Sequence, residues 1–435
     1  MSENTAATRP DLSRGGRYLV LIVAFLGWLF AGTIMVIVPL AGRTALRQMG
    51  LEVEAEIGRW FSWWICSFLL GAALGGLFFG WLGDVLGRTK AMGLSILCYT
   101  LLTGLSYWVD TPAMFLVFRF LACMGVGGMW PNGVALVSEA WSNVSRPLLS
   151  GLIGTAANLG FVLLGFLASD NQVALSIASA VGVDLAIRPD NWRWVLIFAT
   201  FPLPLGLIAL WFVPESPRWL ARRQVDANQH QAAPVREVFF SGLWKFTLLG
   251  ILLGMIPLLG NWGGANWLVP WAGQVGGDAD PYLKGTTQTV RSTGAAIGAL
   301  LGGWLALLFG RRTAYFIYCA LSLASSQYLF AFLEPGQAGF MLWVFLLGFF
   351  GTIFFGWLPL YLPELFPTRV RSTGTGVAFN FGRIVTVAGV MAAGQLMIAF
   401  DGDYGRVGQI TSLIYVVGLI VICFAPDTSQ RQLQD

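Results

Sequence analysis

The sequence predicts an all-α membrane protein of twelve transmembrane helices, and three observations carry that prediction. Of 435 residues, 56% are hydrophobic and only 11% are charged, against roughly 25% charged in a soluble domain. The mean hydropathy is +0.69. Apolar runs of about twenty residues recur along the chain, each the length an α-helix needs to cross a hydrocarbon core near 30 Å thick. A soluble enzyme is thereby excluded. An outer-membrane barrel is excluded too, because the roughly ten-residue alternating segments it requires are missing.

Taken in order, the first run, 18–41, follows a polar segment with Arg9 and Arg14. It is too long for a cleaved signal peptide and reads as a permanent span. Arg43 and Arg47 close it, and the second span, 59–83, ends at the charged loop from Asp84 to Lys90. The third and fourth, 91–108 and 113–138, meet at Asp110-Thr111-Pro112. Arg146 opens the fifth (147–169), and Arg188 and Arg193 mark the start of the sixth (193–213). After the polar stretch from Pro214 to Gly242 come the seventh (244–272), then the eighth (285–309) behind Lys284 and the ninth (313–333) behind Arg311-Arg312. Glu334-Pro335-Gly336 precedes the tenth (339–362), Arg369 and Arg371 the eleventh (373–399), and Arg406 the twelfth (408–425).

With the N-terminus inside, sixteen basic residues fall in inside segments and seven in outside ones. That asymmetry satisfies the positive-inside rule with both termini cytoplasmic in a plasma membrane, the inner membrane if the source is bacterial. The organisation expected is a first six-helix half (1–213), a linker (214–243) and a second half (244–435). The net charge of +4 implies no nucleic-acid partner. The five cysteines lie inside apolar runs without metal-ligand spacing, and the single His230 sits in a polar stretch, so no metal or cofactor is expected. The partners expected are a small-molecule substrate and the bilayer, with the chain as a monomer.

The halves repeat. Glu139, Arg146 and Gly151 in SEAWSNVSRPLLSG recur as Glu364, Arg371 and Gly376 in PELFPTRVRSTGTG, and GWLGDVLGRTK from Gly80 is echoed by GWLALLFGRRT from Gly303. Two parallel six-helix halves facing a shared midplane cavity is an alternating-access design.

At these residues the sequence resembles the major facilitator superfamily over essentially its whole length. Gly80 to Lys90 is similar to the family's signature loop between helices two and three. Arg119 with Gly125 and Gly127-Gly128 resembles its helix-four motif. Pro214-Glu215-Ser216-Pro217-Arg218-Trp219-Leu220 is shared by sugar porters, organic-ion transporters and synaptic vesicle glycoprotein-like proteins. Two departures stand out: Leu307 replaces the acid of the second signature loop, and the sugar porters' glutamine pattern in helices five and seven is absent. Asn380-x-x-Arg383 looks more like organic-ion and small-carboxylate carriers. The resemblance implies a solute carrier, secondary active or facilitative. Related proton-coupled carriers place an acid in the first helix where this chain has Ala31, so facilitated diffusion or anion exchange stays open.

Asp84, Arg88, Glu139, Arg146 and Arg218, with Glu364 and Arg371 in the second half, are expected to gather at inner helix ends as gating charges that bias a two-state equilibrium. Arg119 and Arg383 lie within apolar helix, where an unpaired arginine costs at least about 2.5–3.5 kcal/mol. No acid is expected at that depth to pair with them. A forked guanidinium can take the carboxylate of a substrate, so Arg383 is the candidate anion anchor, while Arg119 has a coupling or structural role. Arg291, near an outer helix end, can snorkel. The candidate pocket also takes Asn380, Asn158, Asn261, Trp262, Asn266, Trp28, Trp130 and Trp357, which supply amides and aromatic walls. The leading expectation is a carrier of a small organic anion, with a sugar or polyol porter second and a non-transporting sensor third. An enzyme is not expected, since no nucleophile, base and acid converge.

Overall fold

The computed structural model describes residues 12–141, 146–217, 219–220, 235–240, 242–367 and 370–428, with the side chains of 146–153, 181, 235–237 and 371–373 outside that description. The described residues form helices, with no strand among them. Among the described residues eleven helices are long and apolar enough to cross a membrane, or twelve if Gly154–Leu167 and Gln172–Ala180, a pair bent by 72°, count as one span. In chain order the spans are Arg14–Gln48, Glu54–Leu86, Arg88–Trp108, Pro112–Ala140, Arg146–Leu167, Trp194–Phe212, Trp244–Gly276, Leu283–Phe309, Arg311–Phe332, Phe340–Glu364, Arg371–Ala399 and Tyr404–Phe424. The face on which the first span begins and the twelfth ends is called the terminal face below, and the other the distal face.

The helix Gln172–Val181 was not expected. Asn171 caps it by accepting from the Val173 amide (2.9 Å), and Gly182 in the left-handed conformation (φ 68°) ends it. Its ten residues make about 15 Å of helix, half a bilayer.

The repeat seen in the sequence is a repeat in space. Glu139 and Glu364 end the fourth and tenth spans, and Arg146 and Arg371 begin the fifth and eleventh. The two signature loops turn on equivalent glycines, Gly87 (φ 108°) and Gly310 (φ 82°), a backbone region open to glycine. Close packing repeats as well. A methyl group on Gly75 or Gly127 would overlap backbone across the second and fourth spans, and one on Gly294, Gly298 or Gly302 would do so across the eighth and tenth. Small residues let membrane helices approach where no hydrophobic force drives them together.

The halves are closed against each other on the distal side. Glu54 of the second span binds Arg43 and Arg47 (2.8 Å to Arg47) and accepts from the Tyr404 hydroxyl of the twelfth (3.3 Å). Lys284 of the eighth span donates to Thr44 Oγ1 (2.8 Å) and the Ile187 carbonyl (2.5 Å) of the first half. Arg43 reaches the Gly273 carbonyl of the seventh span (3.4 Å), and Cys66 Sγ lies 3.6 Å from the Val387 carbonyl. Phe61 packs on Trp267 and Phe68 on Trp262, with ring centroids 4.9 and 4.5 Å apart. Between residues described at both ends, these are the hydrogen bonds and ring contacts that join the halves, and none lies at the terminal face.

Candidate functional site

Helix geometry sets a layer of polar and aromatic groups at one depth. Arg383, Asn158, Trp28 and Trp130 each lie roughly 10–14 residues from the terminal-face end of their spans, a depth of about 15–21 Å. Arg383 is half-buried, with its guanidinium carbon 4.8 Å from the Phe379 ring centroid. Among the described residues it has no hydrogen bond and no ion pair. Asn380 does not satisfy it, because the Asn380 amide donates to its own helix at the Gly376 carbonyl (3.0 Å). Asn380, Arg383 and Val387 share one helix face at i, i+3 and i+7. Asn380 lies against Gly76 and the Val387 carbonyl against Cys66, so this face turns toward the second span and Arg383 stands on the seam between the halves.

The other candidates divide. Asn158 of the fifth span is 9% exposed and its amide makes no hydrogen bond among the described residues, leaving donor and acceptor available. Trp28 and Trp130 pack together (centroids 5.0 Å apart), and Trp130 closes over Gly154. Trp262 meets Phe68 across the seam, above that layer. Asn261 is a tie between helices: its amide donates to the Pro257 carbonyl (3.0 Å) and to Gly351 of the tenth span (2.6 Å). Two expectations are corrected. Trp357 is fully buried, stacks on Tyr361 and donates to the Arg311 carbonyl (2.9 Å), so it belongs to the core of the second half. Asn266 is 3% exposed and accepts from Arg291 (3.1 Å), away from Arg383.

Arg119 has a specific structural use. It is 4% exposed and donates to the carbonyls of Ile34 (3.1 Å) and Met35 (3.2 Å) in the first span. Pro39 lies four residues after Met35 and has no N–H to give it, so the arginine fills an acceptor that proline leaves open. Arg291 does not snorkel. It is 7% exposed and bonded inside the second half, because its neighbours on the seventh and eighth spans offer amide oxygens there.

A family model described as "Sugar (and other) transporter" matches residues 19–235. The niacin transporter NiaP of Acinetobacter baylyi is 25% identical over 96% of this chain and 95% of its own. The cis,cis-muconate transport protein of the same organism is 25% identical over 88% and 89%. The xylose transporter XylE of Escherichia coli, in a partially occluded inward open conformation, superposes with a TM-score of 0.70 at 18% identity, over 96% of this chain and 100% of that one. The chain belongs to the major facilitator superfamily. It is a multi-pass membrane transporter of a small organic solute.

In this facilitator the terminal-face charges that are described bond within each half or to the segment after it. Asp84, largely exposed, pairs with Arg88 one turn on (2.6 Å), and its carbonyl accepts from the Trp219 indole (2.8 Å). Glu139 takes the Ser216 hydroxyl. Glu215, which the sequence reading passed over within PESPRWL, binds the Thr89 amide with both oxygens (3.2 Å each) and the Ser216 amide (2.9 Å). It thereby holds the segment after the sixth span to the start of the third. In the second half Leu307 is exposed, and Arg311 pairs instead with Glu364 (3.0 Å), which also accepts from Thr428. These bonds lie within one half or between a half and the segment after it. Arg218 lies outside the described residues, as do the side chains of Arg146 and Arg371.

Proposed function

We propose that the transported solute is a small organic carboxylate and that Arg383 receives its charge. The observation that carries this reading is a guanidinium at membrane depth with no carboxylate and no hydrogen bond among the described residues. Such a cation is costly without a partner, and its fork matches a carboxylate bidentately. Asn158 offers a second free polar group at the same depth, and Phe379, Trp28 and Trp130 offer apolar wall, a composition suited to a small ring or short unsaturated chain. Niacin and cis,cis-muconate, named for the two relatives, are carboxylic acids of that size.

The terminal face is taken as cytoplasmic, with halves 1–213 and 244–435 joined by 214–243 and acting as a monomer in the plasma membrane. The conformation described is then inward-facing, sealed outside by Glu54, Lys284 and the two aromatic pairs. Transport requires those contacts to part and Asp84–Arg88, Glu139–Ser216 and Arg311–Glu364 to meet across the inner side. The chain does no covalent chemistry. The test is benzoate and nicotinate binding to purified wild type, Arg383→Gln and Arg383→Lys. Losing one partner of a desolvated charge pair costs about 2–5 kcal/mol, roughly thirtyfold or more in affinity. Arg383→Gln should lose that much while its ligand-free unfolding temperature holds, and Arg383→Lys should retain part. Unchanged affinity in Arg383→Gln overturns the assignment.

A further inference from the structure

A second buried cation sits nearer the distal face. Arg291 of the eighth span donates through Nη1 to Asn266 Oδ1 (3.1 Å) and through Nη2 to Gln288 Oε1 (3.3 Å), while Gln288 spends its own amide on Ser292 (2.5 Å). Among the described residues no carboxylate pairs with Arg291. Three donors around it have no partner: Arg291 Nε, Asn266 Nδ2 and Thr287 Oγ1, each buried. They are three of the nine buried side-chain polar atoms without a partner among the described residues, and Thr287 stands one helical turn before Arg291 on the same face. Burying donors without acceptors is unfavourable, most of all beside a charged group. A guanidinium N–H, an amide N–H and a hydroxyl left without partners around a positive charge can all donate to one anion.

The backbone beside it is interrupted. Asn266 stands where the seventh span leaves α-helix, through a π turn over Gly260–Gly264 and a 3₁₀ turn over Ala265–Trp267. Breaks of this kind inside membrane helices are characteristic of functional sites. Span eight is also the one whose Lys284 is locked to the first half, and the broken stretch of span seven carries Trp262 and Trp267, which pack on Phe68 and Phe61.

We propose that Arg291, Asn266 and Thr287 form an anion-binding site at the break of the seventh span, distinct from Arg383, that accepts a small monovalent anion: an inorganic halide or the carboxylate of the transported acid. The inference stands on these residues alone and does not require Arg383 to bind substrate. The experiment follows the unfolding temperature of the full-length purified protein as sodium chloride, sodium acetate or sodium benzoate replaces sodium HEPES at constant ionic strength. With chloride, wild type should show a saturable rise that Arg291→Gln lacks; with acetate or benzoate, which Arg383 also receives, Arg383→Gln should keep a rise that the double variant Arg383→Gln/Arg291→Gln lacks. Thr287→Val, which keeps the cation and removes one free donor, and Asn266→Ala, which removes the free Nδ2 together with the Oδ1 that holds Arg291, should need several-fold more anion for half the rise. They decide the question if Arg291→Gln fails to fold. A response to chloride assigns the site to an inorganic anion, and a response to the carboxylates alone assigns it to the substrate. The proposal is overturned if no anion stabilises Arg383→Gln, or if adding Arg291→Gln, Thr287→Val or Asn266→Ala to Arg383→Gln leaves its response unchanged. Loss of the rise in Arg383→Gln instead returns the effect to the Arg383 site.

Discussion

Tyr404→Phe is the cleanest probe of the distal closure. The substitution removes one hydroxyl from a side chain that is 2% exposed and keeps its shape, so packing is preserved. The hydroxyl donates to Glu54 across the two halves (3.3 Å), while Arg43 and Arg47 still hold the carboxylate after it is gone. No buried charge is stranded, and the loss is the net worth of one longish hydrogen bond to a charged group, about 1 kcal/mol. That free energy acts only on the state closed at the distal face, so the closed-to-open ratio should fall about fivefold. Cys66 supplies the reporter. It is 7% exposed and lies on the seam against Val387, so it becomes reachable from the distal side when the halves part there. In a background with the other four cysteines replaced, labelling by a membrane-impermeant maleimide should run about five times faster in Tyr404→Phe. An unchanged or slower rate would refute the assignment of this contact to the gate.

Two further outcomes separate structure from recognition. Arg119→Leu should lower the unfolding free energy by about 3 kcal/mol, read as a lower unfolding temperature in detergent, with carboxylate affinity unchanged in the folded fraction. Adding Pro39→Ala should recover part of that loss by giving the Met35 carbonyl a backbone partner, a non-additivity that a double-mutant cycle measures. Trp357→Phe, which deletes the indole bond to the Arg311 carbonyl, should cost about 1 kcal/mol of stability and leave benzoate affinity where it was.

The fold was legible because the bilayer reduces it to length, apolarity and charge at the breaks, and those are local properties. The internal repeat was legible for the same reason: Glu139 and Glu364, or Gly87 and Gly310, hold equivalent places in equivalent helices. Arg119 was assigned a structural or coupling role from its surroundings, but its purpose, an acceptor freed by Pro39 eighty residues earlier, depends on which helix it faces. Arg291 does not snorkel because a neighbouring helix offers it an amide, which depth along one helix does not reveal, and the burial of Lys284 against the other half depends likewise on which helix it faces. The contacts between the halves, Glu54 with Tyr404 and Cys66 with Val387, join residues more than 300 positions apart in one conformation of a moving molecule. A pattern read along one chain carries no trace of them. The short helix at Gln172 escapes a reading of the sequence because ten residues, three of them polar, are too few to signal a span.

Recognition of a carboxylate by this transporter is tested by matched pairs of ligands that differ only in that group. Nicotinate against nicotinamide and benzoate against benzamide, titrated into the purified protein by calorimetry, hold ring size and shape constant while removing the charge. The two acids should bind saturably and the amides should not bind over the same concentration range. Equal binding of acid and amide, or binding of hexoses alone, would contradict it.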